Sequence, residues 1–161
     1  MKNVRELNKV ADEALKSAKS VVDTLVDPQS FVESDRFIRS ATALGEAAGE
    51  GVVSGFATIS DVQVGVFAIS GDILKGSIGK ANAKKIAKCI NNAIKTDSPV
   101  IGVVDTQGAR FAEGIEAMEG YGEIFAAFSS AYGVVPTILV VKGSNYGLTS
   151  YLSSVCDFTI C

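Results

Sequence analysis

The chain has 161 residues, with 15 basic and 18 acidic side chains and 47% hydrophobic content, so we expect one globular domain whose core needs no disulfide or metal ion. A net charge of −3 without a basic block argues against binding of nucleic acid through its phosphates. The chain contains no histidine, which excludes Ser-His-Asp and Cys-His catalysis within it and removes the commonest neutral metal ligand.

Residues 1–26 are predicted to form an N-terminal amphipathic helix. Apolar side chains recur every three or four residues between Val4 and Leu25, with charged and polar residues between them. The pattern ends at Asp27-Pro28, because proline disfavours the helical conformation of the residue before it. We expect this helix to pack against the domain or a partner subunit, and residues 27–161 to form the domain itself.

A hairpin and a second helix are predicted next. The apolar stretches 51–59 and 62–69 are separated only by Ser60-Asp61, which is typical of a β-hairpin, whereas residues 34–50 resemble a connecting segment. A helical pattern follows from Ile78, with Ile86, Ile90 and Ile94 on its apolar stripe. The lysines off this stripe are predicted to form a solvated face: Lys80, Lys84, Lys85 and Lys88.

From Pro99 onward the sequence repeats a plan of strand, glycine turn and helix. The first unit comprises strand 100–104, turn 105–110 and a helix from about 112 to 131, and the second comprises strand 137–141, turn 143–147 and helix 148–154, before a last strand at 157–161. Strands that alternate with helices predict an α/β fold with a mostly parallel sheet. The final strand lacks a covering helix, so we expect a fragment or half of a split polypeptide, incomplete at its C-terminus.

The two glycine turns, at Gly108 and Gly147, are the strongest candidates for a functional site. Each follows a buried strand and precedes a helix, so its backbone N–H groups face the carboxyl edge of the sheet, where ligands of open α/β folds bind. Two such turns can hold one developing oxyanion. The alternative is that these glycines only permit tight turns.

Short segments along nearly the whole chain match the motifs of one protein family. They are Gly49–Gly55, Gly76–Gly79, Ala83–Ile86, Pro99–Asp105, Gly108–Arg110, Glu113–Gly114, Gly120–Phe125, Gly133–Pro136 and Cys156–Phe158. In their order and spacing they resemble the N-terminal carboxyltransferase domain of biotin-dependent acyl-CoA carboxylases and decarboxylases.

The resemblance implies a crotonase-like ββα superhelix related to that of the Clp protease. In that family the N-terminal domain holds the acyl-CoA, and a homologous C-terminal domain or subunit brings biotin, carried by the biotin carboxyl carrier protein, across a subunit interface. A carboxyl group moves between biotin and the carbon next to a thioester carbonyl, through an enolate held by backbone N–H groups. Because the ureido nitrogen of biotin can take the proton, this chemistry needs neither histidine nor a metal bound by the chain.

Carried over residue by residue, the resemblance implies that Gly108 and Leu148 donate their N–H groups to the thioester oxygen. The other residues predicted to bind substrate are Gly76, Ser77, Ala109, Tyr146 and Gly147. The turns depart from the family pattern where Gln107, Tyr146 and Leu148 replace smaller residues, and elsewhere at Lys75 and Asn82. A backbone N–H group is retained by every residue except proline, but a larger side chain can fill the space that a ligand needs beside it.

These departures leave two alternative functions open. The chain is either catalytic or a non-catalytic scaffold or regulatory relative of the domain. A third hypothesis, a crotonase-like hydratase or hydrolase, requires a carboxylate base such as Glu113 aimed into the site. Against it, the spacing of Glu113, Glu116 and Glu119 predicts a solvated helix face, and Arg110 is predicted to pair with Glu113.

Other side chains near the turns are assigned structural roles. Asp105 is predicted to cap a turn rather than act in catalysis, and Tyr121 and Tyr132 are predicted to pack with solvated hydroxyl groups. Cys89, Cys156 and Cys161 form no CxxC pair and lie in apolar stretches, which predicts reduced, buried thiols.

Location and assembly follow from the apolar content. No apolar run reaches the roughly 20 residues of a membrane span, and the N-terminus lacks the apolar core of a signal peptide, so a cytoplasmic protein is expected. The mean hydropathy of +0.29 predicts apolar surface left for a neighbour, as in a homo-oligomer or a complex with a C-terminal-domain subunit.

Overall fold

A computed structural model describes residues 4–39 and 48–161 as an α/β structure with one six-stranded sheet. The helices are α1 (Val4–Leu25), α2 (Lys80–Lys95), α3 (Ile115–Ala131) and α4 (Leu148–Val155). The strands are β1 (Val32–Ser34), β2 (Val52–Ile59), β3 (Val62–Ile69), β4 (Val100–Thr106), β5 (Thr137–Asn145) and β6 (Phe158–Ile160). Short 3-10 turns occupy Ala48–Gly51, Leu74–Gly76 and Phe111–Glu113.

The strands lie side by side in their order along the chain. β1, β2 and β3 pair antiparallel, whereas β3, β4, β5 and β6 pair parallel, which confirms the predicted fold class. The predicted hairpin is the β2–β3 pair, in register from Val52 opposite Ile69 to Ile59 opposite Val62. Its two turn residues, Ser60 and Asp61, both have positive φ, as a tight two-residue hairpin turn requires.

Helices cover both faces of the sheet, so the core has two layers. α2, α3 and α4 pack on one face, around Phe67, Ile90 and Leu139. α1 packs on the other face through Leu15 and Val22, which contact inward-facing residues of β2, β3 and β4. The amphipathic helix therefore buries its apolar stripe within this chain, and a division of the chain at residue 26 stays a prediction.

Asp27 connects the end of α1 to the β2–β3 hairpin. Its carboxylate accepts hydrogen bonds from the Thr58 hydroxyl at 2.7 Å and from the Ser60 and Asp61 N–H groups at 3.0 Å each. These donors hold the pKa of Asp27 below its usual value, with the Asp61 N–H contributing most. The residue that ends the helical pattern in the sequence is thus also the cap of the adjacent turn.

The prediction of a solvated lysine face on α2 is wrong for Lys85. Its side chain is fully buried, and its ammonium donates to the Val52 carbonyl at 2.6 Å. Burial lowers the pKa of Lys85 to about 8. The sequence pattern did not predict this burial, because the acceptor is a carbonyl of β2 that comes close to Lys85 only in the folded chain.

Two other expectations need correction, and one lies partly outside the described residues. Helix α2 begins at Lys80, so Ile78 belongs to the preceding loop, where it pairs with Ala109. All three cysteines are free, but only Cys89 is buried and Cys161 is exposed. Of the predicted connecting segment 34–50, residues 40–47 lie outside the described residues.

Candidate active site at the carboxyl edge of the sheet

The two glycine turns lie against each other where β4 and β5 end. Thr106 pairs with Asn145, and the Tyr146 N–H donates to the Thr106 carbonyl at 3.3 Å. A Cβ added to Gly108 would lie 3.0 Å from the Tyr146 carbonyl oxygen. Both glycines have positive φ, +93° at Gly108 and +64° at Gly147, so both are needed for the backbone conformation, and Gly108 is needed for the close approach as well.

The N–H groups of the two turns differ in their partners. The Gly108 N–H donates to the Thr106 hydroxyl at 3.0 Å, within its own turn. The next N–H, of Ala109, has no hydrogen-bond acceptor among residues 4–39 and 48–161. Leu148 begins α4, and the N–H groups of a first helical turn have no partner within the helix. A ligand could therefore accept a hydrogen bond from the Ala109 N–H directly. It could accept one from the Gly108 N–H only by displacing the Thr106 hydroxyl.

The larger side chains that distinguish these turns from the family pattern are exposed to solvent. Gln107 is exposed, Tyr146 is 61% exposed and Leu148 is 39% exposed, so none is buried between Gly108 and Gly147. Exposed apolar side chains occur in the segments that follow the two turns in the chain, with Phe111 at 91%. Ile115, Met118 and Tyr151 are further exposed apolar residues of these segments.

A third segment, the loop 75–79 that follows β3, is hydrogen-bonded to the first turn. The Gln107 N–H donates to the Lys75 carbonyl at 3.0 Å, and the Ile78 N–H donates to the Gly108 carbonyl at 2.8 Å. Gly76 is required here, because its φ is +65° and a Cβ would lie 2.1 Å from the Asp105 carbonyl oxygen. The structure thus places Gly76 and Ser77 beside Gly108 and Ala109.

Arg110 ties the same segments together through its side chain. The guanidinium is 5% exposed and donates to the Ser77 hydroxyl at 3.2 Å and to the Ser77 carbonyl at 3.0 Å. It also forms ion pairs with Glu50 and, at 3.0 Å, with Glu113. The predicted pair of Arg110 with Glu113 is present, and buried.

The prediction that Glu113 lies on a solvated helix face is wrong. Glu113 is 7% exposed; one carboxylate oxygen binds Arg110 and the other accepts the Lys80 N–H at the start of α2, at 2.8 Å. A carboxylate at a helix N-terminus is favoured by the helix dipole. Glu116 and Glu119 are exposed as expected, and a hydrogen bond from Lys80 lowers the pKa of Glu119.

Asp105 and Tyr121 have structural partners. Asp105 accepts the Ser144 N–H at 2.9 Å and lies between Gly71 and Gly143, where any side chain would collide with its carboxylate. Tyr121 is buried, and its hydroxyl bonds that of Thr149 at 2.6 Å, so the expectation of a solvated hydroxyl is wrong for Tyr121. Burial raises its pKa. The exposed Tyr132 agrees with expectation.

Two residues that contribute to the site were not singled out from the sequence. The Thr106 hydroxyl accepts the hydrogen bond of the Gly108 N–H. Glu50 pairs with Arg110 from a position 60 residues away in the chain. Glu50 lies between Gly49 and Gly51 and has a positive φ of 57°, so its flanking glycines were the only local signal. The sequence separation hid the pairing itself.

Comparison with known proteins identifies the family. The sequence pattern of the carboxyl transferase domain matches residues 12–161. This chain belongs to the carboxyl transferase domain family. It is 39% identical over 150 residues to the mitochondrial propionyl-CoA carboxylase beta chain of Homo sapiens, covering 89% of this chain and 28% of that one. It is 37% identical over 147 residues to the methylmalonyl-CoA decarboxylase subunit alpha of Veillonella parvula, covering 88% and 29%.

Two solved structures have the same fold. The transcarboxylase 12S hexamer with methylmalonyl-coenzyme A bound matches with a TM-score of 0.89 at 27% identity, over 96% of this chain and 34% of that chain. A Pseudomonas malonate decarboxylase hetero-tetramer matches with a TM-score of 0.82 at 22% identity, over 88% and 56%, and shows the fold alone. The predicted crotonase-like carboxyltransferase fold is thereby confirmed. This chain spans less than a third of the length of the curated relatives it matches.

Two kinds of feature are absent from the described part of the chain. Within 4–39 and 48–161 there is no group of three or more acidic or cysteine side chains placed to hold a metal ion. In the same part of the chain, no helix combines the length and apolar character needed to cross a membrane.

Proposed function

We propose that this carboxyl transferase domain is the acyl-CoA-binding half of a biotin-dependent carboxyltransferase or decarboxylase, working in the cytoplasm. The observation that carries the proposal is the contact between the Gly108 and Gly147 turns at the carboxyl edge of the sheet. A CoA thioester as ligand is supported by relatives named for propionyl-CoA and methylmalonyl-CoA, and by the related transcarboxylase with methylmalonyl-coenzyme A bound.

In the proposed complex, the thioester oxygen accepts one hydrogen bond from each turn. Leu148 N–H is the donor of the second turn, and Gly108 or the adjacent Ala109 is the donor of the first. Each preorganised donor of this kind contributes roughly 3 to 4 kcal/mol to the stability of a transition state in which the oxygen gains charge. The rest of the substrate-binding set is Gly76, Ser77, Tyr146 and Gly147.

Activity is proposed to need partners that bring biotin. When bound on a carrier protein, biotin supplies carboxyl transfer and a proton acceptor. The site fits this division, because Asp105 and Glu113, the carboxylates that flank the first turn, are engaged by the Ser144 N–H and by Arg110 and the Lys80 N–H. The exposed Phe111 and Ile115 offer an apolar surface to a C-terminal carboxyltransferase domain or subunit, within a homo-oligomer.

The proposal is tested by calorimetric titration with acetyl-CoA and with S-ethyl-CoA, a thioether in which a methylene replaces the carbonyl. Wild type should bind acetyl-CoA about tenfold more tightly, because only the thioester can accept the N–H bonds. Leu148→Pro should reduce this preference to about threefold, since proline suits the first helical position but has no N–H, while the first-turn donor remains. Leu148→Ala, which keeps the N–H, is the matched control and should retain it.

Thr106→Val separates the two first-turn donors. If Gly108 is the donor, removing the competing Thr106 hydroxyl should tighten acetyl-CoA binding. If Ala109 is the donor, the affinity should stay within about twofold of wild type. Valine has nearly the same shape as threonine, and circular dichroism checks that the fold is unchanged.

The second candidate function is a non-catalytic scaffold or regulatory relative. It is favoured by the hydrogen bond that occupies Gly108 N–H and by the larger residues Gln107, Tyr146 and Leu148. This candidate predicts no heat with acetyl-CoA, propionyl-CoA or free CoA, and no exchange of labelled CO2 after a C-terminal-domain subunit and a biotinylated carrier are added. The hydratase or hydrolase hypothesis loses support, because Glu113 has both carboxylate oxygens engaged by Arg110 and Lys80.

A further inference from the structure

The function proposed above assigns no role to the charged side chains of one buried cluster, which is formed by Arg110, Glu50, Glu113 and Ser77 and is here called the Arg110 cluster. Arg110 is 5% exposed, and Glu50 and Glu113 are 2% and 7% exposed, so none of them meets a ligand at the surface. Arginine presents donors in a rigid planar fork, so partners on several sides fix its orientation and their own. A cluster of this kind beside a proposed site is suited to holding the backbone of that site in a fixed position.

The cluster joins three segments that are distant in the chain. Glu50 precedes β2, Ser77 lies in the loop after β3, and Glu113 follows the turn after β4. Arg110 bonds all three, while its own N–H donates to the Ile78 carbonyl at 2.8 Å. The loop after β3 is therefore fixed to the first turn by both backbone and side-chain bonds.

Glu113 extends the cluster to the start of α2. Its carboxylate accepts the Lys80 N–H at 2.8 Å, and it approaches this closely only because residue 79 is glycine: a Cβ there would lie 2.5 Å from both carboxylate oxygens. Asn82 completes the arrangement by accepting the Gly79 N–H at 2.8 Å and donating to the Ser77 carbonyl at 3.0 Å. The loop 77–79 is thus held at both ends by side chains.

The position of this loop sets the direction of the first-turn donors. The Ile78 N–H binds the Gly108 carbonyl at 2.8 Å. Because a trans peptide is planar, with its C=O and N–H on opposite sides, fixing the Gly108 carbonyl also fixes the Ala109 N–H, which points away from the loop. A shift of Ile78 would rotate that peptide and re-aim the donor.

We propose that the Arg110 cluster positions the first-turn N–H groups for the thioester oxygen, with Arg110 and Glu113 as positioning residues. This inference rests on the proposed function. Arg110 and Glu113 touch no substrate; they act through Ser77 and Ile78 on the Gly108–Ala109 peptide. The cluster should therefore influence recognition of the carbonyl and leave the affinity for the remainder of CoA unchanged.

The test compares Glu113→Gln with its matched control Glu116→Gln, the same change at an exposed position three residues along. Both are titrated with acetyl-CoA and S-ethyl-CoA, after circular dichroism has shown that each is folded at the temperature used. Glu113→Gln should reduce the roughly tenfold preference for acetyl-CoA to about threefold or less, with S-ethyl-CoA affinity within about twofold of wild type. Glu116→Gln should change neither value.

Glu50→Gln gives a second measurement, because it removes the charge of the other buried carboxylate that pairs with Arg110. It should lower the same preference and carries the test alone if Glu113→Gln does not fold. A wild-type preference of one would overturn the proposed function and the positioning role together. A wild-type preference near tenfold that the folded variants retain would overturn the positioning role alone. A loss of affinity for both ligands in equal measure would also overturn it, since that indicates general damage to the site.

Discussion

Two buried cations, Arg110 and Lys85, show how differently this fold uses the same charge. Arg110 has hydrogen-bond partners in three segments and two buried carboxylates beside it. Lys85 donates to the Val52 carbonyl and lies 4.0 Å from Glu33 Oε1, an oxygen that has no hydrogen-bond partner among the described residues. The planar guanidinium therefore connects segments, whereas the ammonium acts as a buried point charge with one good partner.

The difference between these cations has an energetic consequence. A buried charge is favourable only where close partners offset the loss of water, so the well-bonded Arg110 should stabilise the fold and Lys85 should add little at neutral pH. Arg110 also lies next to the proposed site, while Lys85 faces β1 and β2. Matched substitutions at the two positions should separate a structural connector from a tolerated buried charge.

The largest expected effect is that of Arg110→Met. It leaves Glu50 and Glu113 buried without the cation they share, and removing one partner of a buried ion pair costs about 3–5 kcal/mol. The free energy of unfolding, measured by urea denaturation, should fall by that amount. Lys85→Met, the matched variant, should remain within about 1 kcal/mol of wild type at pH 7. Equal losses of unfolding free energy in the two variants would contradict the view that Arg110 stabilises the fold and Lys85 does not.

The pH dependence of stability should report Lys85. Its pKa is about 8 in the folded chain against 10.5 without the fold, so between these values the unfolded chain binds the additional proton. The contribution of Lys85 to the free energy of unfolding therefore rises with pH from about 8 to about 10.5, by on the order of 2 to 3 kcal/mol.

Lys85→Met isolates this contribution from that of the thiols. Burial raises the pKa of Cys89 and of Cys156 to about 11, so both thiols lower stability with increasing pH above about 9. Both thiols are kept in Lys85→Met, which removes only the charge of Lys85 beside Cys89, a smaller influence on the pKa of that thiol than its burial. The difference in unfolding free energy between wild type and Lys85→Met should therefore change steadily from pH 8 to 10.5. A constant difference would show that Lys85 keeps an ordinary pKa in the folded chain.

Gly79→Ala should weaken the Arg110 cluster without changing any charge. The added methyl group meets the Glu113 carboxylate, which must move from the Lys80 N–H, and a substitution of this kind costs about 1–3 kcal/mol. Thermal denaturation followed by circular dichroism would detect the loss. An unchanged midpoint would mean that Glu113 can relax without cost.

Gly122→Ala is the control for that substitution and has the smallest expected effect. Gly122 lies within α3, and no atom lies within 4 Å of the position that a Cβ would take. The change should raise stability by about 0.5–1 kcal/mol, because alanine loses less backbone freedom than glycine in a helix. A destabilisation as large as that of Gly79→Ala would indicate that glycines on this side of the sheet are restricted in general.

The fold could be predicted from the sequence because its signals are local. The alternation of apolar strands and helices fixed the fold class, and Ser60-Asp61 between two apolar runs fixed the hairpin. The positions of the two glycine turns followed for the same reason, since a turn between a buried strand and a helix is encoded by neighbouring residues. Carboxyl ends of parallel strands must then meet at one edge of the sheet.

The details of the candidate site could not be predicted in the same way. Lys85 and Glu113 were both assigned to solvated helix faces, because periodicity treats charge as a sign of exposure. Each is buried by a partner from another segment: the Val52 carbonyl for Lys85, and Arg110 with the Lys80 N–H for Glu113. The hydrogen bond from Gly108 N–H to Thr106 was equally invisible, because it depends on one side-chain rotamer.

The amino-acid sequence by itself determined the order of elements, the parallel sheet, the resemblance to carboxyltransferases and the two turns where a ligand would bind. Only the tertiary structure decided which N–H groups of those turns have acceptors and which charged side chains are buried. The physical reason is the separation in sequence between the residues that decide each property. Backbone conformation and the pattern of burial depend on near neighbours, whereas the pairing of a buried charge depends on atoms that folding brings from far along the chain. Glu50 and Arg110, which are 60 residues apart and joined in one ion pair, are the clearest case.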